Sequence, residues 1–169
     1  MAPADLPVDI AERHFEDYPP GAVAEYGPIA VDEAAIIEFG RQFDPQPFHV
    51  DPQRAAHGPF GGVIASGWHT AGLMMRLLVD HYLPRMAGLG SPGIDELRWL
   101  APVRPGDQLS LRITVTGARR SRTKPDRGLV HTTNEITNQR GEMVMTVKAM
   151  TLMRCRTADT DAGPSRHGP

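Results

Sequence analysis

Asp44 and His49 lie five residues apart in the run Phe43-Asp44-Pro45-Gln46-Pro47-Phe48-His49. A carboxylate and an imidazole held on one stiff bend can share a water molecule or a substrate atom, which is what acid–base catalysis requires. Pro45 and Pro47 supply the stiffness, because each fixes φ, lacks an amide donor and pushes the residue before it toward extended geometry. Spacing alone leaves a plainer alternative open, in which Asp44 ends a helix and His49 is an ordinary loop polar group. Near the start of a second helix stands Ser66-Gly67, a serine suited to capping and a glycine that lets a ligand approach the backbone closely.

The elements that must hold these residues can be read from periodicity. A first strand is predicted over 22–30. Asp32 is placed to cap a helix whose Ile36, Phe39, Gly40 and Phe43 share one face and which stops by Phe43. A rigid loop then runs to His49, and Asp51-Pro52 begins a short helical turn through Ala56. From Ser66 to Leu83 the chain is apolar on nearly all sides, so this second helix is expected to be wrapped by other structure. After Pro84 the character changes to β-branched and alternating residues over 94–100, 108–117, 128–138 and 142–153, with the last three strands forming an antiparallel meander. The expected class is α+β, a sheet curved around the long helix.

Composition narrows the function. Of 169 residues, 18 are Lys or Arg and 20 are Asp or Glu, so no basic field points to nucleic acid. Cys155 is the single cysteine, which excludes an internal disulfide framework and a cysteine-based zinc site. The amino terminus has no basic start leading into an apolar run, and no segment reaches the length of a membrane span, so a cytoplasmic protein is expected. Residues 1–20 are expected to form an arm, 21–155 the working domain and 156–169 a polar tail.

Three motifs together resemble the MaoC-like dehydratases, which include the (R)-specific enoyl-CoA hydratases: Asp44-Pro-Gln-Pro-Phe-His49, Ile64-Ala65-Ser66-Gly67, and Leu100-Ala-Pro-Val-Arg-Pro-Gly-Asp107. The resemblance covers residues 21–153 and implies a single hot-dog fold, with self-association into a homodimer or larger assembly. It implies that Asp44 and His49 activate water for reversible addition to a 2-enoyl thioester, with Gly67 receiving the charge on the thioester oxygen. Gln46, Ser66 and Trp68 are expected to contact substrate, a coenzyme A or carrier thioester, with no cofactor and no metal. Two positions depart from the family pattern: Gln46 stands where Asn is usual, and Ser66 where His commonly precedes the glycine. A hot-dog thioesterase and a non-catalytic acyl-thioester-binding subunit are the alternatives.

The remaining polar residues invite blander readings. His57, His69 and His81 are expected to be interior or rim histidines. Met74, Met75 and Trp68 read as core and acyl-tunnel wall. Arg119, Arg120, Arg122 and Lys124 could meet coenzyme A phosphates, although a solvated hairpin tip is the favoured expectation.

Overall fold

The computed structural model describes Leu6 and residues 8–157. Five strands form one antiparallel sheet: β1 (Val23–Ala30), β2 (Gly93–Trp99), β3 (Gln108–Arg120), β4 (Arg127–Thr137) and β5 (Met143–Arg154). Their spatial order is β1-β3-β4-β5-β2, so the expected meander forms the middle of the sheet, with β1 and β2 as edges. Between β1 and β2 the chain makes α1 (Glu33–Phe43), two short helical segments α2 (Pro47–Val50) and α3 (Pro52–Ala56), and the central helix α4 (Gly67–Leu77). A wider π-type turn, Leu78–Tyr82, extends α4 by five residues.

Alternation decides which sheet face meets the helix. Leu109, Leu111, Ile113 and Val115 of β3 are all buried, and through the pairs Leu111–Ile136 and Val115–Thr132 the same face continues across β4. Met74, Leu77 and Leu78 pack into this core. The sheet therefore curls around α4, the hot-dog arrangement, and the class is α+β. Burial of these side chains at about 25 cal/mol per Å² of apolar surface is the main force holding the layers together.

Four local expectations change. The segment after Asp44 is not loop as far as His49, because Pro47 occupies the first position of α2, where a missing amide costs nothing. Phe43, expected on the inner face of α1, is 64% exposed, whereas Ile36 and Gly40 are buried. Helix α4 is not enclosed all round: Trp68, Met75 and Val79 are exposed, a stripe left open along one side. The segment before β1 also joins the core, since Tyr18 is fully buried and donates its hydroxyl hydrogen bond to the Tyr82 carbonyl at 2.6 Å. The tail expected over 156–169 lies outside the described residues from 158 onward. Among the described residues no helix is long and apolar enough to cross a membrane.

Candidate active site

The cleft at the start of α4 has a volume of about 410 Å³, and Asp44, Gln46, His49, Ser66, Gly67 and Trp68 all line it. All six sequence-predicted site residues thus meet at one place. Three separate elements bring them there. Asp44 ends α1, where its amide still bonds the Gly40 carbonyl at 2.9 Å. His49 sits in α2, which packs so closely on α1 that a Cβ at Gly40 would lie 3.1 Å from the His49 Cβ and 2.8 Å from Val50 Cγ1. Ser66 and Gly67 begin α4.

His49 is 4% exposed, and its Nδ1 lies 2.7 Å from the Ile64 carbonyl oxygen. A carbonyl can only accept, so Nδ1 must carry the proton. In the neutral ring this leaves a lone pair on Nε2, which lies 3.3 Å from Asp44 Oδ2. The ring is therefore oriented by the backbone on one side and presents a proton-accepting nitrogen beside a carboxylate on the other.

Asp44 is gripped at both oxygens. Gln46 Nε2 donates to Oδ1 and Ser66 Oγ donates to Oδ2, each at 2.7 Å. The Gln46 hydrogen bond is the largest influence on the carboxyl; burial, the next, opposes it, and the Ser66 hydrogen bond and the neighbouring His49 add to the lowering, so the carboxyl lies below its ordinary value. Asp44 is thus an ionised acceptor at neutral pH, and its remaining lone pairs are available to a water or substrate.

Ser66 Oγ also accepts from the Trp68 amide at 3.3 Å, capping α4 as expected. The amide of Gly67, first in the helix, has no intrahelical acceptor by its position, and none is found for it among the described residues. It stands at the positive end of the helix dipole and lines the cleft. Gly67 is required sterically: a Cβ there would fall 2.4 Å from the Trp99 ring, whose Nε1 donates to the Gly67 carbonyl at 2.9 Å.

Trp99 is the site residue that the sequence reading missed. It is simply the last residue of a strand, and no motif marks it. It meets Trp68 edge-to-face at 5.3 Å across the mouth of the cleft. Trp68 is 60% exposed, so it belongs to that mouth and not to the core.

The other singled-out residues lie elsewhere. His69 is interior, stacked on Phe39 at 5.0 Å, but its Nδ1 is unpartnered and burial lowers its pKa. His57 bonds the Gln53 carbonyl and His81 stacks on Tyr26. Among the described residues no three potential metal-ligating side chains come together. The arginine-rich hairpin joins β3 to β4, where Arg127 pairs with Arg154, whereas the cleft-lining Trp99 pairs with Met145. Nine steps along β5 separate the two ends, roughly 30 Å of strand. Arg120 bonds Glu16 at 2.8 Å.

The chain matches the MaoC like domain over residues 15–140. It belongs to the MaoC-like domain family. The crystal structure of the MaoC-like dehydratase from Rhodospirillum rubrum is similar to it with a TM-score of 0.76 and 41% identity, covering 86% of this chain and 99% of that one. The (R)-specific enoyl-CoA hydratase of Rhodospirillum rubrum is 30% identical over 110 residues, 64% of this chain and 74% of the relative. The 3-hydroxyacyl-thioester dehydratase Z of Mycobacterium tuberculosis is 35% identical over 94 residues, and the match spans 55% of this chain and 62% of the dehydratase's own length. The names of these three relatives are those of a hydratase and two dehydratases.

Proposed function

We propose that this protein is a cytoplasmic hydro-lyase that adds water reversibly to a 2-enoyl-CoA thioester, giving the (R)-3-hydroxyacyl thioester. The observation that carries the reading is the 3.3 Å approach of His49 Nε2 to Asp44 Oδ2 in a cleft that also holds the free Gly67 amide. The names of the similar hydratase and dehydratases agree with it.

In this reading a water lies between Asp44 and His49. Its oxygen bonds to C3, its proton passes to His49 Nε2, and the π electrons of the C2–C3 bond move to form an enolate. The negative charge on the thioester oxygen is met by the Gly67 amide, a donor fixed before reaction begins and worth about 3 kcal/mol in comparable sites. Asp44 balances the charge of the imidazolium, and the proton held by His49 then passes to C2. Atoms balance without a cofactor, since water supplies both the hydroxyl and the hydrogen.

A second copy of the chain completes the proposed enzyme. Trp68 and Met75 of α4 and Val79 of the π-type turn, together with Ile94 of edge strand β2 and Leu100 beside it, are exposed apolar residues that a homodimer would cover. Light scattering at micromolar concentration is expected to give twice the chain mass.

The decisive experiment offers the purified protein a 2-enoyl-CoA. Loss of the conjugated absorbance without thiol release, with a single (R) product by chiral chromatography, is expected. Thiol release would indicate hydrolysis, and no change on any enoyl thioester would overturn the proposal.

A further inference from the structure

Phe60 lines the cleft from a loop that does little to fix it. The loop, Gly58-Pro59-Phe60-Gly61-Gly62, joins α3 to α4, and Gly61 and Gly62 have φ of +65° and +155°. Glycine visits such conformations freely and pays for it in chain entropy when one of them is fixed, so the loop needs a hold from outside. What is held matters to the site. The Phe60 ring meets that of Phe48 edge-to-face with 5.2 Å between centroids, and Phe48 meets the His49 ring in the same way at 4.5 Å. Three rings thus form one wall that runs to the acid–base pair.

The hold comes from 44 residues farther along the chain, where Arg104 Nη2 donates to the Phe60 carbonyl oxygen at 2.7 Å. A Cβ at Gly62 would lie 3.8 Å from Arg104 Nη1, so the guanidinium lies alongside the glycine pair. A charged donor makes such a bond roughly twice as strong as a neutral one. The base of the tether is fixed as well. Asp107, buried at the start of β3, accepts the Arg104 backbone amide at 2.8 Å and the Gln139 side-chain amide at 3.2 Å. The neighbouring Val103 carbonyl accepts the Ala65 amide at 2.8 Å, which joins the same turn to the chain entering α4. Val103 lines the cleft; Arg104 stands outside that lining.

We infer that Arg104 is a positioning residue, which holds the Phe60 ring as a wall of the cleft and thereby sets substrate affinity without touching substrate. The inference rests on reading the cleft as an enoyl thioester site. A wall contact made alike in the ground and transition states lowers KM and leaves kcat unchanged. The bonds that orient the dyad, from His49 to the Ile64 carbonyl and from Ser66 to Asp44, do not pass through Arg104.

Steady-state kinetics on a 2-enoyl-CoA test this with Arg104→Met, which keeps an apolar stem and removes the donor. KM is expected to rise about tenfold, the worth of one hydrogen bond to a charged group, with kcat within a factor of about two. Arg104→Lys, which retains one charged donor, should recover part of the affinity and enters the same comparison where Arg104→Met does not fold. In a Phe60→Ala background no ring remains to be positioned, so the Arg104 substitution should raise KM no further. Chymotrypsin reads the loop without substrate: cleavage after Phe60, identified from fragment masses, is expected to quicken about tenfold in Arg104→Met at a temperature well below its unfolding midpoint. An unchanged KM, a rise of equal size in both backgrounds, or cleavage no faster than in the parent overturns the inference and leaves the enoyl thioester reading intact. Faster cleavage after Phe60 in a protein whose parent hydrates no 2-enoyl-CoA overturns that reading and retains the tether.

Discussion

Gln46 and Ser66 hold opposite oxygens of the Asp44 carboxylate, each with a 2.7 Å hydrogen bond. These are the two positions that the sequence resemblance marks as departures from the hydratase pattern, and both bind one group. Their joint effect is to keep Asp44 ionised and turned toward His49.

The clamp predicts a pH response. Asp44 sits below its ordinary value chiefly through the Gln46 bond and then the Ser66 bond. A depressed carboxyl is ionised, and stabilised by its partners, above the ordinary value near 4, and that advantage is lost as pH falls through the folded value. Gln46→Ala and Ser66→Ala should each raise it, moving the acid limb of the kcat/KM profile to higher pH, with Gln46→Ala moving it further. An acid limb unmoved in both variants would show that Asp44 does not govern that limb. Ser66→Ala should also lower stability by about 1 kcal/mol through loss of the α4 cap, which Ser66→Thr should largely restore.

Removing the acid–base pair should leave a folded, inactive protein. Asp44→Asn keeps an acceptor for Ser66, and His49→Gln can still approach the Ile64 carbonyl, so both variants retain the local hydrogen-bonding shapes. Each is expected to lower kcat by about 10²–10⁴ in the enoyl-CoA absorbance assay, the usual worth of a positioned acid or base. Turnover within a factor of a few of the parent would remove the dyad from the mechanism.

Legibility of this site followed the range of the interactions. Asp44, Gln46 and His49 share one proline-braced bend, and Ser66 and Gly67 share one helix start, so local patterns found all five. The strands were visible because one buried face imposes strict alternation on β3 and β4. Trp99 was not visible, since its role depends on β2 pairing with β5 and passing over α4, a relationship of 32 residues' separation that leaves no periodic trace. The exposed stripe of α4 was also hidden: Trp68, Met75 and Val79 have the hydrophobicity of core residues, and only the packed fold reveals that one chain leaves them open.

The contact between Gly67 and Trp99 yields a coupling experiment. Gly67→Ala places a methyl group inside the indole ring position, so Trp99 must shift and its bond to the Gly67 carbonyl is lost. The expected loss of stability is about 1–3 kcal/mol, the range for overpacking. In a Trp99→Ala background that steric conflict disappears, and Gly67→Ala should become nearly neutral. Additive effects in the double-mutant cycle, measured by denaturant unfolding, would show that the two residues are not in contact.

Gly40 offers a way to move His49 without touching it. An alanine at a helix interior is favoured over glycine by about 1 kcal/mol, so on propensity alone Gly40→Ala should stabilise α1. The added methyl would, however, meet Val50 Cγ1 at 2.8 Å and the His49 backbone oxygen at 3.2 Å, and α2 has to retreat. Since His49 Nε2 already lies 3.3 Å from Asp44 Oδ2, even a small retreat takes the ring out of reach of a shared water. Displacements of about 1 Å can reduce rates by 10²-fold. Gly40→Ala is therefore expected to lower kcat strongly with little change in KM, because the Gly67 amide, proposed to receive the thioester oxygen, is untouched. Val50→Ala, which removes the nearer obstacle, should restore part of the lost kcat in the double variant. Full activity in Gly40→Ala alone would mean that the spacing between α1 and α2 does not set the geometry of the dyad.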